Sequence, residues 1–149
     1  MARKLPRKLG LEDGIALLRG RFGGRLKPPL DGLAYRFTIW LPVQSRGMPV
    51  FTGAQQKQLF HLFHACCGGC SHSRFEGFPP WSGSWLPEGA AVPIVDHHIL
   101  VVVYALQDAE AVGFMRQLKW LLQQEHVAAQ QVVLIEQVPV QFVESVELS

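Results

Sequence analysis

The chain has few of the features that announce an activity. Only three of its 149 residues are cysteines, Cys66, Cys67 and Cys70. They are odd in number and too crowded for a disulfide framework, so the expectation is reduced thiols and a cytoplasmic protein. No apolar run approaches the roughly 20 residues of a membrane span. The start, Met-Ala-Arg-Lys-Leu-Pro-Arg-Lys, lacks the apolar core of a secretory signal. Charged residues are sparse at 17%, while hydrophobic residues reach 48%, which excludes a disordered chain and suits one domain with a core. A Gly-rich phosphate loop, a paired-carboxylate constellation and a zinc-protease helix motif are all missing. So are internal repeats and low-complexity segments. An enzyme is therefore not the first expectation.

The charge that is present is unevenly placed. Residues 1–36 hold nine Lys/Arg against three acids, and the remainder holds five against nine. That asymmetry predicts a basic N-terminal arm, residues 1–33, on a faintly acidic body, residues 34–149. Arg3, Lys4, Arg7, Lys8, Arg19, Arg21, Arg25 and Lys27 are its candidate partner- or anion-binding residues. Such an arm favours phosphate backbones, anionic lipid or an acidic protein partner. The stretch Arg19-Gly-Arg-Phe-Gly-Gly-Arg25 resembles an RGG-type segment and suits contacts to nucleic-acid phosphates without sequence preference. Glycines following a short helix explain it equally well. That helix spans 11–19, with Leu11, Ile15 and Leu18 on one face, and is too short to stand alone. It is expected to dock on the body or on a partner.

In the body, residues 34–43 form the first strong strand. Tyr35, Phe37, Ile39, Leu41 and Val43 alternate with Arg36, Thr38, Trp40 and Pro42. Residues 52–67 read as a helix, with Thr52 as N-cap and Gly68-Gly69 as a left-handed stop. A short strand is expected near 71–75, and a Gly/Pro-rich loop over 76–93. Residues 99–106 are a strand apolar on both faces. Asp108 caps a second main helix running to about His126, with Ala111, Phe114, Met115, Leu118, Leu121 and Leu122 as its stripe. His126 is placed there to meet the C-terminal dipole. Residues 132–143 give a final strand or strand pair, broken near Pro139. This order predicts an α+β, ferredoxin-like sandwich: one antiparallel sheet with two helices on one face, preceded by the basic arm.

The body also carries Gly68-Gly69, Gly83-Ser-Trp85, Asp96, Val101-Val-Val-Tyr104, the Leu-rich helix and the last strand. In that pattern it resembles a group of small bacterial ferredoxin-like α+β proteins of unknown function. The resemblance implies a fold and no activity.

One cluster has the residue types of metal or thiol chemistry, because His61, His64, Cys66, Cys67, Cys70 and His72 fall within twelve residues. Cys67-Gly-Gly-Cys70 has the spacer of a zinc knuckle, so Cys67, Cys70, His72 and His64 are the candidate zinc ligands, with His97 and His98 able to approach from the next strand. Helical periodicity opposes a complete site. Cys66 falls on the apolar face with Leu59, Leu62 and Phe63, whereas His61 and His64 point to solvent. Cys67 lies at the C-terminal end of its helix, where the dipole disfavours a thiolate, which argues against thioredoxin-like redox work. A Cys–His hydrolase pairing of Cys67 or Cys70 with His97 or His98 and Asp96 is formally available but unspecific. Trp81 and Trp85, in the Gly/Pro-rich loop with His97 and His98 nearby, are the candidate lining of a pocket.

The strand apolar on both sides leaves an outer sheet face that needs a cover, which the N-terminal segment, the tryptophan loop or a second copy of the chain could supply, and the second copy is the expected one. Tyr35, Phe37 and Tyr104 do not make the aromatic signature of an RNA-recognition sheet. The functional expectation is a non-enzymatic interaction or assembly module docking through its basic arm and sheet face. A metal-binding protein or enzyme on the Cys/His cluster is one alternative. A nucleic-acid binder using the arm is the other.

Overall fold

Alternating and periodic apolar residues settle into nine elements in the computed structural model, which describes residues 9–45, 48–72, 81–124, 127 and 133–149. In chain order they are α1 (Leu11–Phe22), β1 (Gly32–Ser45), β2 (Met48–Pro49), α2 (Gly53–Cys67), β3 (Ser71–His72), β4 (Trp81–Trp85), β5 (Ile94–Ala105), α3 (Ala109–Gln123) and β6 (Ile135–Phe142). The protein is a mixed α+β fold with an antiparallel sheet. No helix among the described residues is long and apolar enough to cross a membrane.

The two long strands, β1 and β5, form the middle of the sheet. Phe37 lies opposite Val103, Ile39 opposite Val101 and Leu41 opposite Ile99. All six are buried, and they form the inner face. The register shifts between Pro42 and Gln44, a bulge that suits a residue lacking an N–H. On the far side of β5 lie β3 and β4, and on the far side of β1 lie β6 and β2. Every pairing is antiparallel.

Local signals fix the helices. Thr52 Oγ1 accepts from the Gln55 N–H at 3.1 Å while Gln55 Oε1 accepts from the Thr52 N–H at 2.9 Å, a reciprocal cap on α2. Gly68 ends that helix at φ 89°, a left-handed turn that a side chain would strain. Asp108 Oδ1 accepts from the Ala111 N–H at 2.9 Å and starts α3. Expectation and structure agree on these three ends.

The N-terminal segment differs most from its sequence reading. From Leu11 to Leu26 it is a structural layer, with Leu11, Ile15, Leu18, Phe22 and Leu26 buried in the same core as the sheet. Three helices, not two, cover the inner face. Phe114 of α3 is the meeting point, edge-to-face with Phe22 of α1 (centroids 5.4 Å apart) and Phe63 of α2 (6.4 Å). The glycines that made this segment look irregular serve the docking. Gly14 is buried against Leu121, and a Cβ there would meet that side chain at 2.5 Å. After the helix, the Gly24 N–H donates to Ala65 O, the Leu26 N–H to Cys66 O, and the Leu106 N–H to Leu26 O. These bonds stitch the segment between α2 and the end of β5. Residues 1–8 lie outside the described residues.

Three smaller differences share one cause, which is pairing. The expected loop over 76–93 contains β4, and β5 starts at Ile94 rather than at 99, because residues 94–98 pair with β4 and residues 96–98 also with the end of β1. The last strand is not broken at Pro139. It sits opposite Tyr35 in a continuous ladder. The Trp40 N–H donates to Leu134 O, so the even-numbered residues of β1 bond toward β6. Pro139 therefore turns its missing N–H to the open edge, where nothing is lost from the ladder. Residues 73–75 and His126 lie outside the described residues.

If α1 is a layer of the core, Leu18→Ala should cost about 2–5 kcal/mol, as buried Leu truncations do. Urea denaturation followed by circular dichroism measures this. A detachable arm would leave the midpoint unmoved.

Candidate functional site

Two regions gather the residues with chemical or binding potential: the C-terminal end of α2, and the outer face of the sheet.

On α2, Leu59, Leu62, Phe63, Cys66 and Cys67 turn inward and are buried, while His61 and His64 are exposed. His64 Nε2 and Cys70 Sγ approach to 3.9 Å, a weak sulfur contact. The His72 ring stacks on Phe60, 4.6 Å between centroids and 11° between planes. Of the four candidate zinc ligands, the fold thus brings His64 and Cys70 together. It turns Cys67 into the core and occupies His72 with an aromatic stack. Among the described residues, no three His, Cys, Asp or Glu side chains form a group able to hold a metal ion. All three thiols are free.

Burial governs those thiols. It pushes Cys66 up from the usual 9.0 to about 11, against the opposing field of Arg19. It pushes Cys67 up to about 12, with Cys66 and Cys70 adding to the shift. Cys70 is raised by burial too. Burial disfavours the charged form, so none of the three is poised as a nucleophile.

His97 and His98 lie in β5, opposite Ser82 and Trp81 of β4, with Gln44 and Pro42 of β1 on their other side. Trp81 and Trp85 are thus strand residues rather than loop residues. Their side chains, like that of Asp96, lie outside the described part of the structure.

Several of the basic candidates are used within the fold. Arg21 Nη1 donates to Gln117 Oε1 at 2.8 Å, and Arg25 Nη2 lies 2.8 Å from Glu110 Oε1, so both residues tie the α1 segment to α3. The Arg25 pair is exposed and is worth at most about 1 kcal/mol. The stem of Lys27 packs over Gly68, 3.2 Å from where a Cβ would stand. Arg19 is exposed. Arg3, Lys4, Arg7 and Lys8 lie outside the described residues.

The outer sheet face is set by the same register as the inner one. Arg36 lies opposite Tyr104 and Val138, Thr38 opposite Val102 and Glu136, and Trp40 opposite Leu100. All three helices sit on the other side. The outer face is mostly apolar and half-exposed, and Val138 is 37% exposed. Its polar contacts include Trp40 Nε1 donating to Glu136 Oε1 at 3.1 Å. At one end, Tyr104 and Phe142 meet edge-to-face with centroids 5.2 Å apart. They line an open groove of about 340 Å³ with Lys27, Pro28, Pro29, Leu30 and Cys67. A second groove, about 200 Å³, opens between α1 and α3 over Gly14 and Leu121, edged by Leu17, Trp120, Arg21 and Arg116.

Sequence reasoning found the apolar outer face and missed both grooves. A usable signal existed for each. Trp120 stands off the buried stripe of α3, and Pro28-Pro29 places an extended segment next to a strand end. No protein-family model matches the chain, and no curated protein or solved structure is significantly similar to it.

The raised thiols link stability to pH. Below pH 9 both folded and unfolded chains keep their thiol protons. Above it the unfolded chain loses them first, so stability falls as pH climbs toward 11–12. Urea midpoints should decline from pH 9 upward, with a shallower decline in Cys67→Ala. At neutral pH, iodoacetamide should label the half-buried Cys70 before Cys66 or Cys67, as read by peptide mass spectrometry.

Proposed function

We propose that this protein is a non-enzymatic self-assembly module, which pairs with a second copy of itself through the outer face of its sheet. The observation that carries this reading is the face itself. Trp40, Leu100, Val102, Tyr104, Val138, Val140 and Phe142 are apolar and lie opposite the side that the three helices cover. A contiguous apolar surface of this kind, half-exposed to solvent, marks an interaction site. Closed two-fold pairing is its commonest use.

Pro139 supports a face-to-face contact over an edge-to-edge one. Its missing N–H leaves a gap where a strand added to β6 would need a donor. The basic residues Arg3, Lys4, Arg7 and Lys8 supply a second, electrostatic docking element for an acidic protein partner. The free thiols suit a reducing, cytoplasmic compartment.

A ferredoxin-like topology underlies the module in this reading. The order β6-β1-β5-β4, with α2 and α3 as the crossovers of two split β-α-β units, supports it. In that scheme α1 is an added third helix.

Sedimentation equilibrium should return a dimer for the full chain. Val138→Asp should convert it to a monomer while leaving the urea midpoint within about 0.5 kcal/mol, as for other surface substitutions. A wild-type chain that stays monomeric at its highest soluble concentration overturns the reading. Salt-sensitive retention on nucleic acid, lost when residues 1–8 are removed, would transfer the arm to a nucleic-acid role.

A further inference from the structure

We propose that residues 143–148 of one copy lie in the groove beside Tyr104 and Phe142 of a second copy, and that the second copy returns the exchange. The proposal rests on the self-assembly reading and names the element that joins the two copies.

The apolar side chains of the segment are almost fully exposed. Val143 is 93% exposed, Val146 89% and Leu148 99%. In extended backbone Val146 and Leu148 fall on one side, a pair of apolar anchors two residues apart. The segment leaves the sheet directly from Phe142, which itself lines the groove. The groove is apolar where the anchors need it to be, through Pro28, Tyr104, Phe142 and Leu30, the last 92% exposed.

The charges match as well. Glu144 and Glu147 interrupt the apolar residues of the segment. Lys27 lines the groove, and Arg36 stands opposite Tyr104 on the same face. Among the described residues Arg25 pairs with Glu110, and neither Lys27 nor Arg36 is spent in an ion pair with another of them.

Reach and direction select a second copy over the chain's own groove. β6 carries the segment outward past the end of the sheet, and residues 143–149 contain no glycine or proline to reverse it. Six extended residues span about 20 Å, enough to cross a neighbouring groove. Because each groove lies at the root of its own tail, one two-fold axis seats both tails and closes the assembly.

Sedimentation equilibrium on the full chain tests this. Val146→Asp and Leu148→Asp should each weaken self-association at least about tenfold, the equivalent of 1.4 kcal/mol, with an unchanged urea midpoint, since both side chains are almost fully exposed. Lys27→Glu/Arg36→Glu should weaken it similarly, and adding Glu144→Lys/Glu147→Lys should restore it. Loss with the aspartates and restoration with the paired reversals support the exchange. If the tail variants dimerise like wild type while Val138→Asp does not, the exchange is overturned and the face-to-face reading stands. A monomeric wild type overturns both.

Discussion

The ladder between β1 and β5 sets two surfaces at once. Its odd-numbered residues, with Phe37 opposite Val103 and Ile39 opposite Val101, point to the helices. Its even-numbered residues, with Arg36 opposite Tyr104 and Trp40 opposite Leu100, point away. Side chains in a strand alternate strictly, so a one-residue slip would exchange the two sets. The core and the candidate interface are therefore specified together. Buried apolar pairs hold the register, and the outer face inherits its arrangement from them.

The helical layer depends on a second contact. Phe114 is fully buried, and α1 and α2 reach it through Phe22 and Phe63. α1 can come this close because Gly14 presents no side chain to Leu121. A glycine within a helix weakens that helix by roughly 1 kcal/mol relative to alanine. Here the loss is offset by five buried residues from Leu11 to Leu26. Gln55 adds a polar link, since its side chain caps α2 and also donates to Glu12 Oε1 at 3.1 Å, which holds that carboxyl below its usual pKa. Arg21 and Arg25 add two more toward α3. Arg21 and Arg25, counted with the basic arm in the sequence, are thus structural in placement.

Those details explain what the sequence could and could not reveal. β1, the buried part of β5, α2 and α3 were legible because each carries a strong local pattern: period two, a continuous apolar run, a threonine cap with a glycine stop, or an aspartate cap. The apolar outer face was legible too, since residues 99–106 are hydrophobic on both sides. The docking of α1 was only half legible. Leu11, Ile15 and Leu18 announced a face, but its partners lie far along the chain in α2 and α3, and no local pattern names such partners. β4 was hidden because Gly83 and the flanking prolines read as loop, and only pairing with β5 makes the segment a strand. The cysteine cluster was half legible. Successive helical residues point 100° apart, so periodicity already placed Cys66 on the apolar face and His61 and His64 on the solvent side. It did not place Cys67, which the helix also buries, or His72, which stacks on Phe60.

Pro139 ties the edge of the sheet to the fate of its outer face. An exposed edge strand invites any other strand, and self-pairing there leads toward open-ended assembly. Placing the missing N–H at an outward position leaves the ladder to β1 intact while spoiling the edge as a template. A groove or a face is more selective than an edge, because side chains rather than a uniform backbone must match. The proposed exchange would have such selectivity at the end of the sheet where Tyr104 and Phe142 meet, Lys27 brings a positive charge, and the strand that carries Phe142 continues into interspersed apolar and acidic residues. Blocking the edge and supplying a shaped, charged alternative act in the same direction. In the proposed assembly, both would restrict association to a partner that presents its own complementary segment.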